Sequence, residues 1–319
     1  MLRVLAIIFS SLFSICKTEE LKGPMVSKVA EFDSYWQKGK AEISSYDLFQ
    51  ARYGEMHHGE AVIIFETEDF SKTKQIKQDR FTPEDQKIPV LKMNMTKSFN
   101  TGIYPYSMMI SSFVPAGGMV PWQAIKISAT VNEWKGQTYQ QLSQDIGHYN
   151  YKSNSYAVGD QIGTIDRYMT EDAVWNLIRI NPEALFHTDS IMIIPSLFYC
   201  RLNSVEVKPY LAKTRHLLLD SGNRVYHIEY PSLGRNIYIE YSVSFPYPIV
   251  KWSEEYKDNS SPSQPQLTTT AILKKQIMID YQNHQSTNDQ AWRDSLDLKY
   301  RMDPDSVLED SMSLDIRSR

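Results

Sequence analysis

The chain has little cysteine: two residues in 319, at positions 16 and 200. If Cys16 is consumed by another modification, Cys200 stands alone and no intramolecular disulfide can form. Sustained basic runs are missing as well, and the formal net charge is −4, so the electrostatic footprint of a nucleic-acid-binding protein is absent. No P-loop and no G-x-G-x-x-G run occurs, which removes support for common nucleotide chemistry, and no serine lies in a G-x-S-x-G elbow. Two histidines at helical i, i+4 spacing, as zinc hydrolases use, are not found either. What is present is ordinary for a globular chain: 42% hydrophobic and 23% charged residues. The aromatic share is weighted to tyrosine, with 20 Tyr against 12 Phe and 6 Trp. Tyrosine favours strands and keeps a polar tip on an apolar ring.

The N-terminus carries an address. Met1-Leu2-Arg3 is a short positive start, and Val4 to Ile15 is apolar apart from Ser10, Ser11 and Ser14. A stretch of about a dozen apolar residues is too short to cross a bilayer and has the size of a secretory signal core. Cys16 closes it, and the polarity switches at Lys17-Thr-Glu-Glu20. This pattern is similar to a bacterial lipoprotein signal, in which the cysteine is both cleavage point and lipid attachment site. Ile15 departs from the small residue such signals place before the cysteine. The expected organisation is a signal peptide over 1–16, a tether over 17–30, one large β-rich domain over 31–300 with a possible subdivision near 160–190, and a disordered acidic tail over 301–319.

From Glu31 onward the apolar residues alternate with period two. Tyr46–Met56 and Ala61–Glu68 read as a hairpin turning at His57-His58-Gly59-Glu60. Further strands are expected at Leu91–Thr96, Ile103–Phe113, Ala124–Val131, Thr138–Leu142, Tyr149–Tyr156, Ile191–Ile194 and Leu197–Leu202. The last of these makes Cys200 a packed core thiol. Val225–Tyr230 and Asn236–Ser242 form a second hairpin, and Leu267–Tyr281 a long strand with Thr269, Ala271, Leu273, Ile277 and Ile279 on one face. One central helix is expected: Thr170 as cap, Glu171 and Asp172 in the first turn, Val174, Leu177 and Ile178 as its stripe, and Asn181-Pro182 as its end. A short helix near Asn288 would pair Trp292 with Leu296. Many antiparallel strands with one or two covering helices predict a mainly β fold: a curved antiparallel sheet, half-barrel or barrel-like.

Glu55-Met-His-His-Gly-Glu60 puts two imidazoles between two carboxylates, a donor set that zinc favours. Neighbours on a strand point to opposite faces, so His57 and His58 read as exposed turn residues before they read as metal ligands, and no catalytic residue, metal or cofactor is assigned. A polar-aromatic set is the stronger candidate. Asn100, Tyr104 and Tyr106 lie at the entry to one strand, and Trp134 and Tyr139 sit in a similar turn about thirty residues on. Neighbouring strands would gather them at one end of the sheet, as a ligand mouth or partner contact or as ordinary corner aromatics. In the tail, Asp305-Ser-Val307 and Asp310-Ser-Met312 resemble an O-glycosylation sequon of exported bacterial proteins, with Ser306 and Ser311 as acceptors.

With these strands placed, a family resemblance emerges. Ala51–Val62, Phe99–Met109, Glu133-Trp134 with Gly136, Ile178-Arg-Ile-Asn-Pro182, Ile194-Pro-Ser196 and Phe245-Pro-Tyr247 resemble an uncharacterised family of Gram-negative envelope lipoproteins. The resemblance spans about residues 32–298. Its members are sometimes labelled septum formation inhibitor Maf, a name that implies a Ser-Pro-Arg-Arg-type motif this chain lacks. It implies a lipid anchor in a membrane, outer-membrane localisation on the periplasmic or surface face, and no defined activity. The expected function is a non-enzymatic envelope lipoprotein that binds a hydrophobic ligand or an envelope protein partner. A scaffold in a surface or periplasmic complex is the alternative, and a metal-dependent hydrolase using His57 and His58 ranks below both.

Overall fold

The structure, a computed structural model, describes residues 26–36, 38–78, 81–116, 119–120, 123–257 and 266–298. Cys16, the tether before Val26, Ser306 and Ser311 lie outside these residues. Strands alternate with few helices: β1 Val26–Ser27, α1 Phe32–Tyr35, β2 Ala41–Arg52, β3 Glu55–Ser71, β4 Ile76–Lys77, β5 Lys87–Thr101, β6 Tyr104–Pro115, β7 Met119–Val120, β8 Lys126–Glu133, β9 Gly136–Gln144, β10 His148–Ser155 and β11 Gln161–Asp166. Then follow β12 Met169–Thr170, α2 Glu171–Ile180, β13 Thr188–Ile194, α3 Leu197–Asn203, β14 Tyr210–Leu218, β15 Arg224–Tyr230, β16 Arg235–Tyr241, β17 Ile249–Tyr256, β18 Leu267–Ile279 and α4 Ala291–Ser295.

The fold is mainly β, a large curved sheet that does not close. Its order is β11-β10-β9-β8-β6-β5-β3-β2-β18-β17-β16-β15-β14-β13-β12, with β4 paired to β3. All neighbours are antiparallel except β12 and β13. β18 is hydrogen-bonded to β2, so the last long strand sits beside the first one. Period-two alternation turns Ile63, Phe65, Met93, Met95, Ile110, Ile127 and Ile239 inward to one continuous core.

The concave side is filled by the protein itself. All ten residues of α2 are buried, and the helix reaches several walls at once. Trp175 meets Trp252 of β17 edge-to-face at 5.3 Å. Asn176 Nδ2 donates to the Leu91 carbonyl of β5 at 2.8 Å. Arg179 forms a two-pronged pair with Glu42 of β2 at 2.5 and 2.6 Å. At the other end of α2, Glu171 accepts from Arg235 of β16 and from the Tyr230 hydroxyl of β15. A polar helix inside a barrel-like sheet needs such partners, because an unpaired buried charge costs several kcal/mol.

The helix begins and ends where the sequence places it, although Thr170 Oγ1 makes no cap bond and is buried without a partner. Other expectations change. Leu197–Leu202 is helical, not extended: Ser196 caps α3, its Oγ accepting from Phe198 N at 3.3 Å. A continuous apolar run carries no periodicity to separate helix from strand when every side is buried. Cys200 is free and buried in α3, and burial pushes its thiol pKa far up. The first hairpin turns at Tyr53-Gly54, both with positive φ, as a tight two-residue turn requires. Gly59 instead lies inside β3, where a Cβ would sit 2.2 Å from the Ser98 carbonyl oxygen. In β18 a bulge between Leu273 and Lys275 breaks the expected single face. Ala271 and Leu273 join the main core, while Ile277 and Ile279 pack with Ile43 and Leu296 in a separate cluster. Trp292 packs its ring against His284 at 5.3 Å, and Leu296 takes the place in that cluster.

A candidate partner-binding rim

Four hairpins that are neighbours in the sheet turn at the same rim: β2/β3, β5/β6, β8/β9 and β10/β11. Glycine makes the first two turns possible. Gly54 holds φ 77 and Gly102 φ 59, a left-handed region costly for other residues. The tips touch in sequence around the rim. Tyr53 and Tyr106 share a hydroxyl–hydroxyl bond of 2.9 Å, and Tyr106 stacks on Phe99 at 4.8 Å. The Lys135 ammonium lies 4.9 Å from the Tyr104 ring centroid and 5.9 Å from that of Tyr53. Tyr104 meets Trp134 edge-on at 6.0 Å. Tyr156 of the fourth tip packs so near the third that a Cβ on Gly136 would lie 3.2 Å from its own Cβ.

Beneath the tips the rim is tied to the interior. The Arg52 guanidinium covers the Tyr53 ring at 4.3 Å and donates to the Leu202 carbonyl of α3 at 2.6 Å, joining turn and interior. Burial, and then the Tyr53 hydroxyl, push the Tyr106 phenol well above its ordinary pKa, so it stays neutral. Above this base, large apolar side chains project into solvent: Ile103 is 72% exposed, Trp134 67%, Tyr156 84% and Val158 69%. Isolated exposed apolar residues are common; here they recur on successive tips.

The polar-aromatic set expected from the sequence divides accordingly, for a physical reason of pleat. Tyr104 and Trp134 meet at the rim, with Tyr106 below them in the core. Asn100 and Tyr139 do not join them. Asn100 is exposed in the strand position after inward-facing Phe99, and Tyr139 stands opposite Thr130, between the inward positions of Thr138 and Gln140. Alternation sends both to the convex face. Tyr53, Ile103, Lys135, Tyr156 and Val158 carry no motif that singles them out in the sequence. All but Tyr156 directly adjoin a glycine (54, 102, 136 or 159), and that pairing was the available signal.

His57 and His58 point apart. His57 Nε2 lies 3.0 Å from the Arg52 carbonyl oxygen, whereas His58 Nε2 lies 2.6 Å from Asp47 Oδ1. Among the described residues, no three His, Cys, Asp or Glu side chains converge as a metal site would require.

No protein-family model matches the chain, and no curated protein matches it. Among solved structures, it is similar to a β-barrel-like protein of a domain of unknown function, DUF1849, from Brucella abortus. The TM-score is 0.42 and the identity 9%, over 75% of this chain and 97% of that one.

Proposed function

We propose that this protein is an exported envelope lipoprotein, held in the outer membrane through Cys16, that acts without catalysis by engaging an envelope protein partner. The observation that carries the partner reading is the row of exposed apolar residues on three successive hairpin tips, set on a hydrogen-bonded base. Between a carried hydrophobic ligand and a protein, the packing favours the protein. Helices α2 and α3 contribute their own side chains to the core where an acyl chain would have to lie. Rigid aromatic anchors with a nearby cation are the residue types that dominate protein interfaces. The signal-like segment ending at Cys16 supports the address, and the role fits a scaffold component equally well.

The test is native mass spectrometry of the protein extracted from its own membranes, beside a variant carrying Ile103→Ser and Trp134→Ser. A stoichiometric protein partner is expected with the parent and not with the variant, at unchanged Tm. A partner that persists in the variant, or co-purifying lipid without protein, would overturn the reading. Anchoring is tested separately: Cys16→Ala should release the protein from the membrane fraction, and an unchanged membrane-bound pool refutes lipidation there.

A further inference from the structure

On the convex face, far from the rim in register, a cleft of about 450 Å³ opens between the β3–β4 segment and the turn at Tyr281. Its volume lies in the range of small-molecule sites. Cross-strand pairing sets Lys92, Phe113 and Lys126 in one row, a ring with a lysine on either side. Phe70 of β3 stacks beneath Phe113 at 4.8 Å, which makes the floor flat and apolar.

The lysines differ in how they are matched. Lys92 reaches Glu66 at 2.7 Å and Glu68 at 2.8 Å, and Lys77 stands 3.9 Å from Glu68. Lys126 Nζ donates to the Gln75 backbone carbonyl at 3.2 Å, and among the described residues no carboxylate forms an ion pair with it. Burial already lowers the pKa of Lys126, so its charge is held at a cost that an anion would relieve. Gln75, with φ 53, is held beside the cleft by its own side chain, whose Nε2 donates to the Gln144 carbonyl.

We propose that this cleft binds a small aromatic carboxylate, its ring against Phe113 and its carboxylate on Lys126. The proposal is independent of the rim and of the protein's export. The probe is benzoate, titrated into the purified full-length protein and followed by NMR, with benzamide and acetate as controls. A saturable Kd of about 1 mM or tighter is expected for a ligand of this size. Benzamide, which lacks the charge, and acetate, which lacks the ring, should each bind at least about tenfold more weakly. Lys126→Met should weaken benzoate by at least about tenfold at unchanged Tm, and Lys126→Arg should retain it. Absence of saturable binding in the millimolar range, or equal binding by Lys126→Met, overturns the proposal.

Discussion

The Arg179–Glu42 pair offers the sharpest check on how the interior is held. Both side chains are essentially inaccessible, at 1% and 0% exposure, and the guanidinium also donates to the Pro246 carbonyl at 2.7 Å. It lies over the rings of Trp36 and Phe65 at 5.1 and 5.0 Å, while the Tyr35 hydroxyl donates to Glu42. The pair thus ties the end of α2 to β2 and to the corner at Phe245–Pro248. Arg179→Met leaves the Glu42 carboxylate buried without its counter-charge, and Glu42→Leu strands the guanidinium. Each single change should cost about 3–5 kcal/mol, a large part of a typical domain's stability of roughly 5–15 kcal/mol. In a domain of this size that lowers Tm by about 6–15 °C. The double variant removes both charges together. Only the hydrogen bonds of Pro246 and Tyr35 are then lost, so its cost should be about 1–3 kcal/mol, well below the summed singles. Urea denaturation of the four proteins gives the coupling directly. Singles costing under about 1 kcal/mol, or a double equal to their sum, would refute the claim that these charges depend on each other.

Three further outcomes are expected. Burial, and then neighbouring Glu171, push the Asp172 carboxyl up to about 7 although it accepts from Leu197 N. An acid raised in the folded state stabilises fully below its unfolded pKa near 4 and loses that contribution as pH rises through 7, roughly 4 kcal/mol in all. Asp172→Asn should therefore gain stability over the parent between pH 4 and 8, and a flat difference across that range contradicts the assignment. Glu254, held down at about 2 by Lys97 and Arg235 against the effect of burial, has the opposite sign: its contribution is present above pH 4.5 and lost towards pH 2. It is common to both proteins and cancels in their difference. Gly59→Ala meets the Ser98 carbonyl at the end pair of the β3–β5 ladder, and should cost about 1–3 kcal/mol or prevent folding, read by denaturation and soluble yield. Finally, buried Cys200 should resist a thiol reagent in the native protein and react only after unfolding, so rapid native labelling of Cys200 would place it wrongly.

How much is legible in the sequence depends on how local each cause is. The alternation in Ala124–Val131 and the hairpin of β15 and β16 are readable because each strand carries its own inside and outside. Gly59 reads from the sequence as a turn residue and is not one, since a glycine required by close approach looks the same as one required by positive φ. Tyr104 and Trp134 are found because they share a turn-like setting. The same signal takes in Tyr139, whose face depends on pleat, and misses Ile103 and Tyr156, whose importance depends on which hairpins are neighbours.

The β-rich class, the extent of α2 and the apolar, cysteine-ended start are readable along the chain, because they follow from periodicity, capping chemistry and composition within a short window. Long-range packing makes α3 a helix, lets a bulge turn the two halves of β18 to different cores, and fills the concavity with the paired charges of α2. It alone decided which tips form one rim and which residues share the Lys92–Phe113–Lys126 row. Those relations are set by strand register across the sheet, and register arises from contacts between residues far apart in the chain.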